Sequence, residues 1–576
     1  MEKLRGLLWV FFGVETTTRI ALLTLCIGGV ALGPFSLLQT LLVGFLYDSI
    51  AFSYFLLPIL FYTLVLPQRY AGGRFDRAFT SGLFAIYTML LLFLSVGELL
   101  FWDELDSRFN FIAVDYLVYT HEVVGNVFES YPVVPIMGVL ALLSAAVARF
   151  VWTRMEPLGL IPRSGRRLLK LAPVVCVLSF LFIDNGPAES QANAFNCELS
   201  KNGIYSLFSA FRQNDLSYKR FYKSVEDRAA IGTALRLMNE GQNATGIGIE
   251  HSVNGGSATQ RYNVILVVVE SLSAAYMQEF GCELGLTPHL DALIHDSLFF
   301  DQLYAVGTRT VYGLTAVTLG TPPVPGNAIA RQSGCDHLFS LGAVLKDHGY
   351  STKFIYGGFG YFDNMNAFFG QNGYDLVDRS DLDDAEITFA NVWGVCDEDL
   401  FRKTIKEANK DFAEDRPFFY TVMTTSNHRP YTYPEGRIDI PSKTGRTGGV
   451  KYADFALRDL IDRAQAEPWF DNTILVITAD HTASSAGKTD LTPEKYHIPL
   501  FIYAPKIIEP KRMSGLCSQI DIPPTILGML HLSYDSRFFG QNLLEQSPQR
   551  AFIANYQKLG YLTPDRLTIL KPVKDA

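Results

Sequence analysis

The sequence predicts a chain of two parts, a multi-pass α-helical membrane domain followed by an α/β domain with a mainly parallel sheet. Hydrophobic residues make up 48% of the 576 residues, and the mean hydropathy is +0.15, which is high for a soluble protein. This apolar excess lies before residue 185, whereas short apolar strands alternate with helical stretches between residues 262 and 545. Such alternation is typical of βα units around a parallel sheet.

Five apolar stretches in the first part are each long enough, or nearly so, to cross a bilayer. They cover residues 18–44, 49–67, 79–102, 131–152 and 168–184. The last is short, and the first could be split or shifted because Glu15 and Arg19 interrupt it. A cleaved signal peptide is not indicated, because the apolar stretches continue far past a single h-region. We therefore divide the chain into a membrane domain of about five helices at 1–184, a connector and linker at 185–261, the α/β domain at 262–545 and a C-terminal tail at 546–576.

Charged residues between these stretches predict their orientation. Residues 103–129 carry six acidic residues and one basic residue, whereas three other segments are basic. The basic segments contain Lys3 and Arg5; Arg69, Arg74 and Arg77; and Arg154, Arg163, Arg166, Arg167 and Lys170. The positive-inside rule places the N-terminus and the basic loops in the cytoplasm. With five crossings, everything after residue 185 is expected outside the cytoplasm.

Net charge and cysteine usage exclude two kinds of site. The formal net charge of −9 provides no basic surface for nucleic acid. The seven cysteines are scattered, and no CxxC or Cys/His zinc spacing occurs in the sequence. A cysteine-based metal site is therefore not expected.

Three apolar runs in the α/β domain end on a residue that could bind a metal or a phosphate. VILVVVE ends at Glu270, FFYTVMTTSNH ends at His428, and TILVITADH ends at Asp480 and His481. Their β-branched and aromatic content is typical of strands buried on both faces of a parallel sheet. Open α/β sheets bind ligands at the carboxyl ends of their strands, so we expect these side chains to meet in an active site.

The residue types at these strand ends suit a divalent metal. Two carboxylates and one imidazole, from Glu270, Asp480 and His481, suit Mn²⁺, Mg²⁺ or Zn²⁺. The loop GTRTVYGLT (307–315) brings a threonine, and metal coordination would activate its hydroxyl as a nucleophile. Thr310 is our candidate, with Thr308 and Thr315 as alternatives. His428 and His497 lie beside apolar strands and would hold phosphate oxygens or protonate a leaving group.

These segments resemble a known family. NVILVVVES, the GTRT loop, TTSNHRPY, ITADHTASSAGKTD and KYHIPLFIYAP are similar to segments of the lipoteichoic acid synthase and phosphoglycerol transferase group of the alkaline phosphatase/sulfatase superfamily. The resemblance implies that the extracytoplasmic α/β domain is alkaline phosphatase-like. It also implies that Glu270, Thr310, Asp480 and His481 are the metal ligands and that Thr310 is the nucleophile.

The same resemblance implies the substrate contacts. It assigns Arg309 and His428 to substrate binding, and His497 resembles a headgroup histidine of the related lipid A phosphoethanolamine transferases. The chain departs from Gram-positive lipoteichoic acid synthases, which have a His-Gly-Asp segment where this chain reads YGGFGYFDN (356–364). Recognition of glycerol phosphate is therefore expected to differ. Segments such as CELSKNGIYSLFSAF look more like Gram-negative members.

The implied reaction is transfer of glycerophosphate from phosphatidylglycerol to an extracytoplasmic glycan or polymer through a covalent phospho-threonine intermediate. The implied cofactor is one divalent metal, with Mn²⁺ ahead of Mg²⁺ and Zn²⁺. The implied location is the bacterial inner membrane, with the N-terminus cytoplasmic and the α/β domain periplasmic. The ligand set does not exclude a phosphoethanolamine transferase or a phosphodiesterase on the same fold, and a non-catalytic membrane sensor is a further alternative.

Overall fold

The computed structural model describes residues 2–105, 107–110, 113–114, 120–191, 193–212, 222–238, 248–256, 258–483 and 491–571. Parts of the predicted connector, the end of the ITADHTASSAGKTD segment and the last residues of the predicted tail lie outside these ranges. The chain divides near residue 214 into two compact units. The N-terminal unit is helical, and the C-terminal unit is built around a β-sheet.

Four helices of the N-terminal unit are long and apolar enough to cross a membrane, among the described residues. They are Glu2–Leu25, Pro34–Val65, Arg74–Leu105 and Val133–Arg154. The predicted stretch 18–44 crosses the break between the first two of these helices. Three glycines in the intervening CIGGVALG segment disfavour helix, and Pro34 begins the next one at a position where proline is tolerated.

The fifth predicted stretch, 168–184, contains the helix Leu171–Phe182, whose 12 residues are fewer than a bilayer crossing needs. It follows Arg163–Leu169 after a single residue, Lys170, whose backbone is also right-handed helical. Among the described residues, the remaining α-helices of this unit are Thr120–Ser130, Gly186–Glu189, Ala194–Ser200 and Gly203–Arg212.

Buried ion pairs connect the helices of the N-terminal unit. Arg19 donates to both carboxylate oxygens of Asp48 at 2.6 and 2.9 Å, and Asn202 donates to Asp48 and Glu15 at 2.9 Å. Charged groups inside a membrane domain are stable only when they are paired, so these contacts fix the first two long helices against the segment that begins at Ala194.

The C-terminal unit contains a nine-stranded mixed sheet that is mostly parallel. Its strands are β2 (Asn263–Val269), β3 (Leu298–Tyr304), β4 (Ser351–Tyr356), β5 (Asp375–Val377), β6 (Phe418–Met423), β7 (Thr473–Ala479), β8 (His497–Tyr503), β9 (Lys511–Met513) and β10 (Cys517–Ser518). The strand order is β10-β3-β8-β7-β2-β6-β4-β5, with β9 on β3 and β8 antiparallel to both of its neighbours. The predicted fold class is therefore confirmed.

The described residues of the C-terminal unit also form eight α-helices. They are Asp227–Leu237, Pro288–Leu293, Thr310–Leu319, Leu341–Asp347, Met365–Gln371, Asp397–Ala413, Arg446–Ala464 and Ile522–Met529. The central strands β2, β6 and β7 are buried along their whole length, as their continuous apolar sequences predict. β3 was not expected, because Asp301 and Gln302 interrupt its apolar run.

Two small antiparallel sheets complete the C-terminal unit. β1 (His251–Val253) pairs with β11 (Tyr534–Ser536), and β12 (Ala551–Ala554), β13 (Leu559–Thr563) and β14 (Arg566–Leu570) form a three-stranded sheet. The segment treated as a tail thus contains regular structure. Arg550, just before β12, makes two hydrogen bonds of 2.6 and 2.7 Å to the buried carboxylate of Asp521.

Replacement of Arg550 by methionine is expected to destabilise the C-terminal unit by about 3–5 kcal/mol, because the Asp521 carboxylate would stay buried without its cation. Chemical unfolding of the purified full-length protein measures this change. Arg458→Met is the matched control, since Arg458 pairs with Asp462 on an exposed helix surface. The control should cost less than about 1 kcal/mol. Equal effects of the two substitutions would contradict the role of the buried pair.

Candidate active site

The sheet topology brings three predicted metal ligands together. β2 and β7 are adjacent parallel strands with Val269 opposite Ala479, so Glu270 and Asp480 follow side by side at the same edge. Ligand atoms of Glu270, Asp480 and His481 all lie within 4.8 Å of one another. His481 Nε2 is 3.8 Å from Glu270 Oε1 and 3.3 Å from Asp480 Oδ2.

Hydrogen bonds orient these ligand atoms. Asp480 Oδ1 accepts from the backbone N–H groups of Ser271 and His481 at 2.8 and 2.7 Å. Its Oδ2 is buried and accepts no hydrogen bond from the described residues. His481 Nδ1–H donates to the Thr482 carbonyl at 2.8 Å, which leaves Nε2 as the ligand nitrogen. The donor set therefore fits a divalent metal.

The electrostatics of the cluster also favour a cation. Burial and the nearby Glu270 carboxylate raise the pKa of Asp480 well above its usual range. Burial alone would raise the pKa of Glu270, but His428 and His481 beside it lower the value. Burial lowers the pKa of His481, which keeps the imidazole neutral as metal binding requires. A bound cation would relieve the repulsion between the two carboxylates.

Thr310 is the threonine that the structure brings to this cluster. It begins the helix Thr310–Leu319, is partly exposed, and its Oγ1 is 3.3 Å from Glu270 Oε2. Thr315 instead donates to the Val311 carbonyl within the same helix at 2.6 Å and is buried. Thr308 is also buried. Thr310 is therefore better placed than either alternative.

Gly313 allows the Thr310 helix to approach Asp480. A Cβ atom at position 313 would lie 2.1 Å from the Asp480 carbonyl oxygen. Gln519 connects the segment before Thr310 to the end of β7. Its side chain accepts from Val306 N–H at 2.9 Å and donates to the carbonyls of Ala479 and Asp480 at 2.7 and 2.8 Å. The sequence did not indicate Gln519, because a single glutamine at the start of a short 3-10 helix carries no periodic or motif signal.

His428 lies beside the metal cluster, on the loop after β6. Thr424 and Asn427 of this loop hydrogen bond to the main chain of Glu270 at 3.0 and 2.9 Å. His428 Nδ1–H donates to the Arg429 carbonyl at 3.0 Å, so Nε2 is the nitrogen that faces a ligand. The proximity of His428 is one cause of the lowered Glu270 pKa.

Arg446 is a second site residue that the sequence did not indicate. Its positive charge lowers the pKa of both Glu270 and His481, and its guanidinium lies 4.9 Å from the centre of the Tyr431 ring. Its Nη1 atom is buried and makes no hydrogen bond within the described part of the chain. A buried guanidinium nitrogen of this kind is suited to a phosphoryl oxygen.

The two other predicted substrate contacts differ in their surroundings. Arg309, next to Thr310, is 3.7 Å from the carboxylate of Asp363. Its positive charge contributes to the lowered pKa of His481. His497 lies at the start of β8, where Nε2–H donates to the Asp301 carbonyl at 2.8 Å. Its ring packs against Phe280 and Tyr304. The structure therefore places Arg309 close to the cluster and gives His497 contacts mainly with β3.

The C-terminal unit is similar to known proteins. A family model described as Sulfatase matches residues 262–532. The chain is 25% identical over 329 residues to phosphoglycerol transferase I of Xanthomonas campestris pv. campestris, covering 53% of this chain and 46% of that protein. It is also 25% identical over 338 residues to the lipoteichoic acid synthase-like protein YvgJ of Bacillus subtilis, covering 53% of this chain and 52% of that protein.

Similarity to a solved structure shows which family the chain belongs to. A protein in the alkaline phosphatase superfamily from Vibrio parahaemolyticus is 34% identical, with a TM-score of 0.59, over 62% of this chain and 88% of that chain. The chain spans about half the length of the curated relatives named above. It belongs to the alkaline phosphatase superfamily, with a sulfatase-type domain and relatives named as phosphoglycerol transferases and as a lipoteichoic acid synthase-like protein.

Proposed function

We propose that this protein is a membrane-bound transferase that moves glycerophosphate from phosphatidylglycerol to an extracytoplasmic glycan or polymer through a covalent intermediate on Thr310. The observation that carries the proposal is the position of Thr310 Oγ1, 3.3 Å from Glu270 within the cluster of Glu270, Asp480 and His481. The names of the relatives, phosphoglycerol transferase I and a lipoteichoic acid synthase-like protein, support glycerophosphate as the transferred group.

The metal ligands in this proposal are Glu270, Thr310, Asp480 and His481, and Mn²⁺ is the expected ion. The chemistry that a divalent metal supplies when bound there is positive charge, which favours the alkoxide of Thr310 over its alcohol. Two protein atoms support this assignment: the Nε2 of His481, and Asp480 Oδ2, which accepts no hydrogen bond from the residues that the structure describes.

In the first step, Thr310 Oγ1 attacks the phosphorus of the lipid headgroup, and the bond from phosphorus to the diacylglycerol oxygen breaks. His428 Nε2 gives a proton to the departing oxygen. In the second step, an acceptor hydroxyl attacks the same phosphorus, and the bond from phosphorus to Thr310 Oγ1 breaks, which returns Thr310 as the alkoxide. The acceptor proton goes to His428 and replaces the one that it gave in the first step. Arg446, Arg309 and the N-terminus of the Thr310 helix supply positive potential to the phosphoryl oxygens.

The membrane domain keeps the site near its lipid donor. We infer that the apolar stretch around Leu171–Phe182 crosses the bilayer as a short fifth segment, with the basic residues of Arg163–Leu169 at its cytoplasmic end. An odd number of crossings places the C-terminal unit opposite the N-terminus. The proposed location is the inner membrane of a bacterium, with the C-terminal unit in the periplasm.

Labelled phosphatidylglycerol and phosphatidylethanolamine in separate vesicles test the reaction with purified full-length protein across a Mn²⁺, Mg²⁺ and Zn²⁺ series. We expect metal-dependent diacylglycerol release from phosphatidylglycerol and a glycerophosphate mass on Thr310. Thr310→Ala should reduce release by at least about 10³-fold, because it removes the nucleophile. Thr308→Ala is the matched control and should retain both activity and adduct. Release from phosphatidylethanolamine alone would make the protein a phosphoethanolamine transferase.

Gly313→Ala is expected to reduce turnover by about 10²-fold, because its Cβ would push the Thr310 helix away from Asp480. Calorimetry should also show weaker Mn²⁺ binding by this variant. Gly232→Ala is the control, since Gly232 is also helical but a Cβ atom there would have no neighbouring atom within 4 Å. Unchanged Mn²⁺ binding and turnover in Gly313→Ala would contradict the proposed geometry.

Cysteine labelling in spheroplasts tests the orientation. Gln68 and Lys506 are both exposed, one after the second long helix and one after β8. In a Cys282→Ser background, Lys506→Cys should react with a membrane-impermeant maleimide in intact spheroplasts. Gln68→Cys should react only after permeabilisation. Labelling of both positions from the same side would contradict an odd number of crossings.

A further inference from the structure

A short loop, residues 391–397, is built against the loop that carries His428. The Asn391 side chain accepts from the backbone N–H groups of Trp393 and Gly394 at 2.8 and 3.2 Å. At the other end, Asp397 Oδ1 accepts from the N–H groups of Thr425 and Ser426 at 3.2 and 3.0 Å. Trp393 is therefore held from both sides, and its position is fixed relative to the loop after β6.

The Trp393 ring packs directly on the imidazole of His428. The ring centroids are 3.9 Å apart, and Phe362 packs edge-on against Trp393 at 5.5 Å. This stack limits the orientations of His428, whose Nδ1–H is already bonded to the Arg429 carbonyl. Trp393 thus belongs to the wall of the site on the side where His428 acts.

The indole N–H of Trp393 has no hydrogen-bond partner among the described residues. The side chain is only 9% exposed, and Nε1 makes no hydrogen bond within the ranges that the structure describes. Buried tryptophan N–H groups usually donate a hydrogen bond, and an unmet donor costs free energy. Trp469 shows the ordinary arrangement, since its buried N–H donates to Asn409 at 2.6 Å.

We propose that Trp393 is a substrate-binding residue that selects a glycerol headgroup, a step that rests on the proposed function. The indole N–H can only donate, so it requires an oxygen that accepts. A glycerol hydroxyl accepts a hydrogen bond, whereas the ammonium of ethanolamine can only donate. His428 packs against one face of the ring, which is then not open to an ammonium. With the phosphoryl oxygens held at Thr310 and Arg446, an ethanolamine headgroup would offer this N–H no acceptor.

Headgroup selectivity of Trp393→Phe tests this role, because phenylalanine keeps the stack on His428 but removes the N–H. The kcat/KM for phosphatidylglycerol should fall by about tenfold, with the value for phosphatidylethanolamine changed by less than about threefold. Trp469→Phe is the matched control and should leave the ratio of the two lipids unchanged. An unchanged ratio in folded Trp393→Phe protein would overturn the proposal.

A second measurement does not depend on turnover. Calorimetry of the metal-loaded full-length protein would compare the free headgroups sn-glycerol 1-phosphate and phosphoethanolamine. We expect preferential binding of glycerol phosphate, and loss of that preference in Trp393→Phe. Should Trp393→Phe fail to fold, 3-benzothienylalanine at position 393 removes the N–H while keeping the ring shape. Absence of lipid turnover in the wild type would refute the transferase function, and equal headgroup binding by wild type and variant would refute the role of Trp393.

Discussion

The mutual repulsion of two buried carboxylates is the constraint on which this site depends. Glu270 and Asp480 follow adjacent parallel strands, and their side chains meet away from solvent. Their oxygens accept hydrogen bonds from neutral groups, namely backbone N–H groups, the Ser271 hydroxyl and the Thr310 hydroxyl. The positive charge of Arg446 adds to this by favouring the ionised form of Glu270. Ser271 itself takes a left-handed backbone conformation, with φ of 51°. Such conformations cost free energy and cluster at functional sites.

The strand ends were predictable from the sequence, and the residues that support them were not. A strand buried on both faces reads as an unbroken apolar run, so the polar residue that follows it stands out at Glu270 and Asp480. Gln519, Arg446 and Trp393 lie in segments without such a pattern, and only the tertiary fold brings them to the site. Their partners are main-chain atoms or rings from distant positions, which sequence spacing does not encode.

The boundaries of the membrane helices were also only partly predictable from the sequence. Hydropathy located the apolar segments but placed the first boundary wrongly, because CIGGVALG is as apolar as the helices that it separates. The buried Arg19–Asp48 pair was also outside what hydropathy can indicate. An ion pair inside a bundle contributes little net stability, yet it penalises any helix arrangement that would separate its members. The Arg19–Asp48 pair therefore specifies one arrangement of the helices more than it stabilises the bundle.

The shortness of Leu171–Phe182, the apolar part of the proposed fifth crossing, has a consequence for the lipid around it. Twelve residues cover about 18 Å, against a hydrocarbon core of about 30 Å. Hydrophobic mismatch of this size is accommodated by local thinning of the bilayer and by basic side chains that extend to the headgroups. Arg166 and Arg167 lie one turn before this helix, where their side chains can extend to the headgroups. Phospholipids beside this helix would then be compressed, which lowers the work of drawing a headgroup out of the membrane.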